Sequence, residues 1–328
     1  MDLERAFDGL QLKVDADPAL VREARERRQK FADAFLDEDD VDEVVFIGSI
    51  ARSTQIEPIR DVDVLIVYSR EAHVGWGQPG SSAEEALNYA RDRVVDFFGH
   101  QGSVEPDYVR LARADNHAVK CFLDDPEDED AFTVDVVPGL RTAGGTLEIT
   151  EKDSSEWITT DPEHLNNCIA GRRPWEHFVP LVRAIKRWNA DHPTTMIPLL
   201  VEVMAIDRLP EEVRPRALAA YFAAAAASVS PTITDPAGIS PIQPDLDLAA
   251  AREALNEAAD LSWRAVTAAE RGETDLAACY WRKLFGEIFP EPEGGCSNLL
   301  GLGAVGAAAA TVAITPTVRR PARHNPQG

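Results

Sequence analysis

The sequence predicts an α+β chain: a sheet-bearing lobe of mixed strands with flanking helices, then a helical lobe, with a cleft between the two. Three observations predict it. Apolar strand-like runs, Val44-Val45-Phe46-Ile47-Gly48-Ser49, Asp61-Val62-Asp63-Val64-Leu65-Ile66-Val67-Tyr68 and Phe132-Thr133-Val134-Asp135-Val136-Val137-Pro138-Gly139, lie in the first half. Beyond residue 155 the apolar spacing turns helical, with Gly and Pro between the segments. The chain's 328 residues exceed an average domain and allow two lobes.

The elements follow in order. Residues 18–36 carry Leu20, Val21, Ala24, Phe31 and Phe35 among charges, which predicts an amphipathic helix before the first strand that braces the sheet. A second helix is expected over 82–98, capped by Ser81 or Ser82 and stopped by Gly99. Strands resume at 108–113 and 119–123, and the acidic run 124–130 reads as a solvated hairpin loop. The helical half is expected at 162–170, 175–191, 197–208, 214–228, 246–271 and 274–289. The resulting division is 1–160 for the sheet lobe with its N-terminal bracing helix, 161–292 for the helical lobe and 293–328 for a flexible tail. Substrate would lie in the interlobe cleft.

The chemistry is carried by carboxylates. Side chains alternate along a strand, so Asp61 and Asp63 share one face at the start of an apolar run, an unfavourable place for two charges without a counter-ion. The nearest basic residues are Arg52 and Arg60, and paired divalent cations are the sharper compensation, with oxygen ligands as Mg²⁺ prefers. Asp135, alone in a β-branched strand, supplies a third acid. The reading is a two-ion Mg²⁺ site on Asp61, Asp63 and Asp135, in which Mn²⁺ can substitute. Gly48 and Ser49 at a strand end offer close backbone approach and N–H and O–H donors to a triphosphate.

Composition narrows the substrate. Fifty-six acidic residues against 33 basic ones give −23, which opposes stable binding to nucleic acid and favours free NTPs, ATP and/or GTP. Cys121, Cys168, Cys279 and Cys296 show no paired spacing, so free thiols are expected. The N-terminus has no signal-peptide pattern, which points to a cytoplasmic protein. Residues 296–318 carry no charge, but their Gly, Ala and Thr content and Pro316 argue against membrane insertion. His117, His177 and His192 show no ligand spacing. Trp188, Trp281 and Phe285 read as core, with Tyr68 and Trp175 less settled.

With Gly48, Ser49, Asp61, Asp63 and Asp135 in this order, the chain resembles the DNA polymerase β-like nucleotidyltransferase superfamily. Further segments are similar to the bacterial CD-NTases, the cyclic-oligonucleotide synthases of CBASS antiphage signalling and relatives of animal cyclic GMP-AMP synthase. They are Val134-Asp135-Val136-Val137-Pro138, Leu181-Val182-Arg183-Ala184-Ile185-Lys186-Arg187-Trp188-Asn189, Ile233-Thr234-Asp235-Pro236 and the stretch 277–290. The similarity spans most of residues 40–290. Arg60 departs from the Ser common before the first Asp, and Ser53-Thr54 from Gly-Thr.

The resemblance implies a polymerase β-like nucleotidyltransferase lobe and metal-dependent joining of NTPs into a cyclic second messenger with release of pyrophosphate. It also implies that Lys186 contacts the triphosphate. Gly328 at the end of the chain would fit conjugation by an E1/E2-like partner. The competing readings are a template-independent linear or poly(A)-type polymerase, a nucleotidyltransferase acting on a protein or small molecule, and a non-enzymatic sensor; three intact acids argue against the last.

Overall fold

The computed structural model describes residues 1–99, 108–128, 131–297 and 299–300. The chain opens with α1 (Leu3–Val14) and α2 (Pro18–Leu36), followed by β1 (Val41–Phe46), the one-turn helix α3 (Gly48–Arg52) and β2 (Asp61–Tyr68). Next come α4 (Ser82–Phe98), β3 (Leu111–Ala114), β4 (Val119–Phe122), β5 (Thr133–Arg141), β6 (Leu147–Glu151) and β7 (Glu156–Thr160). The remainder is helical: α5 (Pro162–Arg172), α6 (Phe178–Asp191), α7 (Pro198–Arg208), α8 (Arg214–Ser228), α9 (Leu248–Glu270) and α10 (Thr274–Phe285), closed by a 3₁₀ turn. The α+β class and the passage from sheet to helix are as the sequence predicts.

The strands run in the order β1-β2-β5-β4-β3. β2 and β5 pair in parallel, which sets Asp63 directly beside Asp135. The other pairings are antiparallel. β5 is nine residues long, and its two halves have different partners: Thr133 to Val136 pair with β4, Gly139 to Arg141 with β6. β2 and β5 are buried on both faces, which is why they read as continuous apolar runs. Helices α2 and α4 cover the face formed by Val64, Ile66, Tyr68, Val134 and Val136, with Phe31, Phe35, Ala90 and Val94 packed against it. Leu65, Val67, Val137, Leu147 and Ile149 form a smaller core on the other face with Val45 and Ile47.

The helical half encloses the largest core, in which Trp188, Tyr221, Phe222, Trp281, Phe285 and Phe289 are buried. Trp188, Trp281 and Phe285 are core, as expected, and Tyr68 joins the core under α2 and α4. α1 also packs here: Phe7 meets Trp281 edge-on at 5.3 Å. The chain therefore starts in the helical half and crosses to the sheet with α2, which lies on β1 and β2. Phe7, Leu10 and Val14 fall at the i, i+3, i+7 spacing of one helix face, with Asp2 as N-cap, so α1 carries a sequence signal that the initial reading passed over. The β6–β7 hairpin is likewise an addition to the expected elements.

One expectation is overturned. Cys279 and Cys296 form a disulfide; Cys121 and Cys168 are free. After α10 the chain turns back through Gly286–Ile288, which brings Cys296 alongside the helix that carries Cys279, and a 17-residue separation has no signature in the sequence. Among the described residues no helix is long and apolar enough to cross a membrane. Gly328 and most of the expected tail lie outside the described residues.

Candidate active site

The site is built where β1, α3, β2 and β5 meet. β1 delivers the chain to Gly48, whose positive φ of 76° turns it into α3, and a Cβ at that position would collide with the Asp63 carboxylate. Glycine is therefore required twice over, by backbone conformation and by the approach of the acid. Ser49 follows on the same turn. The sequence reading placed Gly48-Ser49 at a strand end; the structure makes it the first turn of a five-residue helix.

Asp61 and Asp63 open β2, and Asp135 lies beside Asp63 in the parallel register. The structure thus brings together Gly48, Asp63 and Asp135, with Asp61 two residues along the strand. Asp135 is fully buried, and Thr133 Oγ1 donates to its Oδ1 at 2.6 Å. Lys120 faces Asp135 from β4 and pairs with Asp115 at 3.7 Å.

These carboxylates are poorly neutralised by the protein itself. Burial holds Asp63 well above the usual carboxylate range, Asp61 and Asp135 push it higher, and Arg52 and Lys120 only partly oppose the shift. Asp135 is raised to about 6, chiefly by burial, against the pull of Lys120 and the Thr133 hydrogen bond. The donor set is all oxygen and acidic, as Mg²⁺ and Mn²⁺ prefer. As placed, no three Asp, Glu, His or Cys side chains among the described residues close around one point.

Lys186 is placed elsewhere. The residue is buried, and its ammonium donates to Glu202 Oε1 at 2.6 Å. Glu202, on α7, also accepts from Thr54 Oγ1 at 2.8 Å and, through Oε2, from Arg52 Nε at 2.7 Å. Burial alone would raise Glu202, yet the Arg52 and Lys186 charges outweigh it and leave the carboxyl at about 2. Lys186 therefore stands behind α3, in a cluster shared by both halves of the molecule.

Sequence reasoning passed over Lys120, Thr133 and Glu202, and noted Thr54 only as part of the Ser53-Thr54 departure. Thr133 and Lys120 had a signal: Thr133 lies two residues before Asp135 on the same strand, and Lys120 lies on the strand expected at 119–123. Glu202, a lone acid among Leu199, Leu200, Val201, Val203 and Met204, had one too: a charge in so apolar a helix needs a partner. His117 is buried, with Nδ1 2.6 Å from the Thr150 carbonyl oxygen.

No family model matches the chain. It is 24% identical over 282 residues to a probable cyclic nucleotide synthase of Bacillus cereus (strain VD146), covering 76% of this chain and 83% of that protein. Among solved structures it is similar to Escherichia coli MS115-1 CdnC with ATP, at a TM-score of 0.65 and 18% identity, covering 88% of this chain and 99% of that one. It is also similar to the Bradyrhizobium diazoefficiens CD-NTase CdnG in complex with GTP, at a TM-score of 0.62 and 14% identity, covering 88% and 97%. The sheet carrying three acids, the glycine turn packed on one of them and the helical half behind it together make the fold of this chain that of the CD-NTases.

Proposed function

We propose that the chain is a metal-dependent nucleotidyltransferase that joins NTPs into a cyclic oligonucleotide second messenger of the CBASS type, releasing pyrophosphate. The observation that carries this reading is the parallel register that sets Asp63 beside Asp135 while Gly48 abuts the same carboxylate. A triphosphate held at Gly48-Ser49 is thereby delivered to the acids. The likeness to CdnC and CdnG, and the relative described as a probable cyclic nucleotide synthase, support the cyclic product.

The reaction is an in-line displacement: a ribose hydroxyl attacks the α-phosphorus, a new P–O bond forms, and the bond to pyrophosphate breaks. Two Mg²⁺ ions, held by Asp61, Asp63 and Asp135, would supply neutralisation of the attacking and leaving oxygens. Gly48 and Ser49 orient the β- and γ-phosphates through N–H and O–H donors. Asp135 would hold the ion on the attacking side and help to accept the ribose hydroxyl proton, and Thr133 Oγ1 donates to its Oδ1. Lys186, paired with Glu202 behind α3, would act on the triphosphate side only through the cluster that it shares with Arg52 and Thr54.

Purified protein incubated with the four NTPs and Mg²⁺ or Mn²⁺ tests the proposal by mass spectrometry. A phosphatase-resistant cyclic product is expected. A linear, phosphatase-sensitive product would overturn the cyclic reading. Normal product yield from the Asp61→Asn, Asp63→Asn double variant would overturn the site.

A further inference from the structure

The segment that joins α3 to β2 lies between the phosphate turn and the first metal-binding acid, and it has no helix or strand of its own. The helical half holds it. Arg173 Nη2 donates to the Arg52 carbonyl oxygen at 3.0 Å. Arg183, on α6, donates to the Ser53 carbonyl through Nε at 2.9 Å and Nη2 at 2.8 Å, and is itself braced by Asp15 at 2.6 Å. Arg187 Nη1 reaches the Glu57 carbonyl oxygen at 3.3 Å. Ser53, which ends α3 in the left-handed conformation at φ 59°, is thus gripped at the residue where its backbone is least relaxed.

At the centre of this grip sits Glu202, whose Oε1 accepts from Thr54 and Lys186 and whose Oε2 accepts from Arg52. Two cations on one carboxylate leave a surplus positive charge in the interior. Arg52 is 1% exposed, and its Nη1 and Nη2 are buried with no hydrogen-bond partner among the described residues. For stability alone this is a poor arrangement, because an over-charged buried cluster with unmade hydrogen bonds is outperformed by apolar packing of the same volume. Its placement gives it another use. Arg52 closes the helix that begins at Gly48, and Thr54 starts the approach to Asp61, so one side chain from α7 sets the distance between the phosphate turn and the acids.

We infer that Glu202 is a positioning residue for nucleotide binding: through Arg52, Thr54 and Lys186 it fixes the Gly48-Ser49 turn relative to Asp61 and Asp63. The inference rests on the nucleotidyltransferase reading. It differs from a purely structural role in one respect, since it requires KM for the NTP to move separately from folding.

The test is steady-state kinetics with Mg²⁺ and NTP, beside thermal melting, on Glu202→Gln, Glu202→Asp and Thr54→Val. Glu202→Gln keeps the shape and removes the charge, and its KM is expected to rise about ten-fold or more with kcat changed by less than about three-fold. Thr54→Val removes one arm of the cluster, and a KM rise of about three-fold with unchanged melting is expected. Glu202→Asp should recover part of the affinity. As a control, Glu43→Gln breaks the Arg141 ion pair on the sheet, away from α3, and should leave KM unchanged.

If Glu202→Gln does not fold, Thr54→Val alone decides. KM within about two-fold of wild type in the folded variants overturns the inference. Failure of wild-type protein to turn over NTPs would instead count against the parent reading, and the same variants would then be compared by calorimetric binding of a non-hydrolysable NTP.

Discussion

Two sets of buried carboxylates in this chain behave in opposite ways. Glu202 lies among Arg52, Lys186 and Thr54 and is held at about 2, whereas Asp63 and Asp135, close by on the sheet, are both raised, Asp135 to about 6. All three residues are almost wholly removed from water, so burial is common to them and cannot account for the difference. What differs is the charge the fold supplies. Glu202 has more cation than it needs, while the sheet acids have one another and only a partial share of Arg52 and Lys120. A buried acid balanced by its own cations serves as a structural joint; under the proposed function, the raised sheet acids are where an external cation would be held.

The largest effect that can break this contrast is on turnover. Asn at both Asp61 and Asp63 preserves shape and removes the charges, and product formation is expected to fall by at least about 10³-fold, with near-native circular dichroism. Full turnover in that variant would place the chemistry elsewhere.

On the Glu202 side the expected effect is on stability. Glu202→Ala leaves two buried cations without their carboxylate and should lower the unfolding free energy by about 3–5 kcal/mol in urea titrations. A loss below about 1 kcal/mol would show that the cluster is not a joint.

The two regions also have opposite pH signatures in metal-free protein. Asp135 is raised in the fold from 3.8 to about 6, so its contribution is fully present below 3.8 and is lost as pH rises through about 6. Wild type should therefore lose on the order of 3 kcal/mol over that window relative to Asp135→Asn. Glu202 is lowered from 4.5 to about 2, so its contribution is present above 4.5 and is lost as pH falls through about 2. Relative to Glu202→Gln, wild type should lose stability only on the acid side. Unfolding curves of the three proteins from pH 2 to about 8 check both signs, and parallel curves would remove the contrast.

The smallest effect expected is the Thr54→Val rise in KM. It separates a joint that positions substrate from one that only holds the halves together.

The sheet acids were legible because their signal is local. Asp61 and Asp63 sit two apart on a strand, Asp135 stands alone among β-branched residues, and Gly48-Ser49 ends an apolar run. The register that brings Asp135 to Asp63 follows from the parallel pairing of two strands buried on both faces. The Glu202 joint was not legible in the same way. Its partners come from residues 52, 54 and 186, and only the docking of α7 behind α3 brings them together. Lys186 shows the consequence: the family resemblance implied a phosphate contact, and its observed partner is a carboxylate from the next helix. The Cys279–Cys296 bond is a further case, since nothing in a 17-residue spacing announces that the chain doubles back.

The most direct test of the contrast is calorimetric titration of Mn²⁺ with a non-hydrolysable NTP at pH 6, close to the Asp135 value, in buffers of different ionisation heat. Wild type should bind the ion and release protons as it does so. Asp63→Asn should lose the ion, while Glu202→Gln should keep it and bind the nucleotide more weakly. Equal metal binding by wild type and Asp63→Asn, or binding by wild type with no proton release, would contradict the assignment of the sheet acids as the site of an external cation.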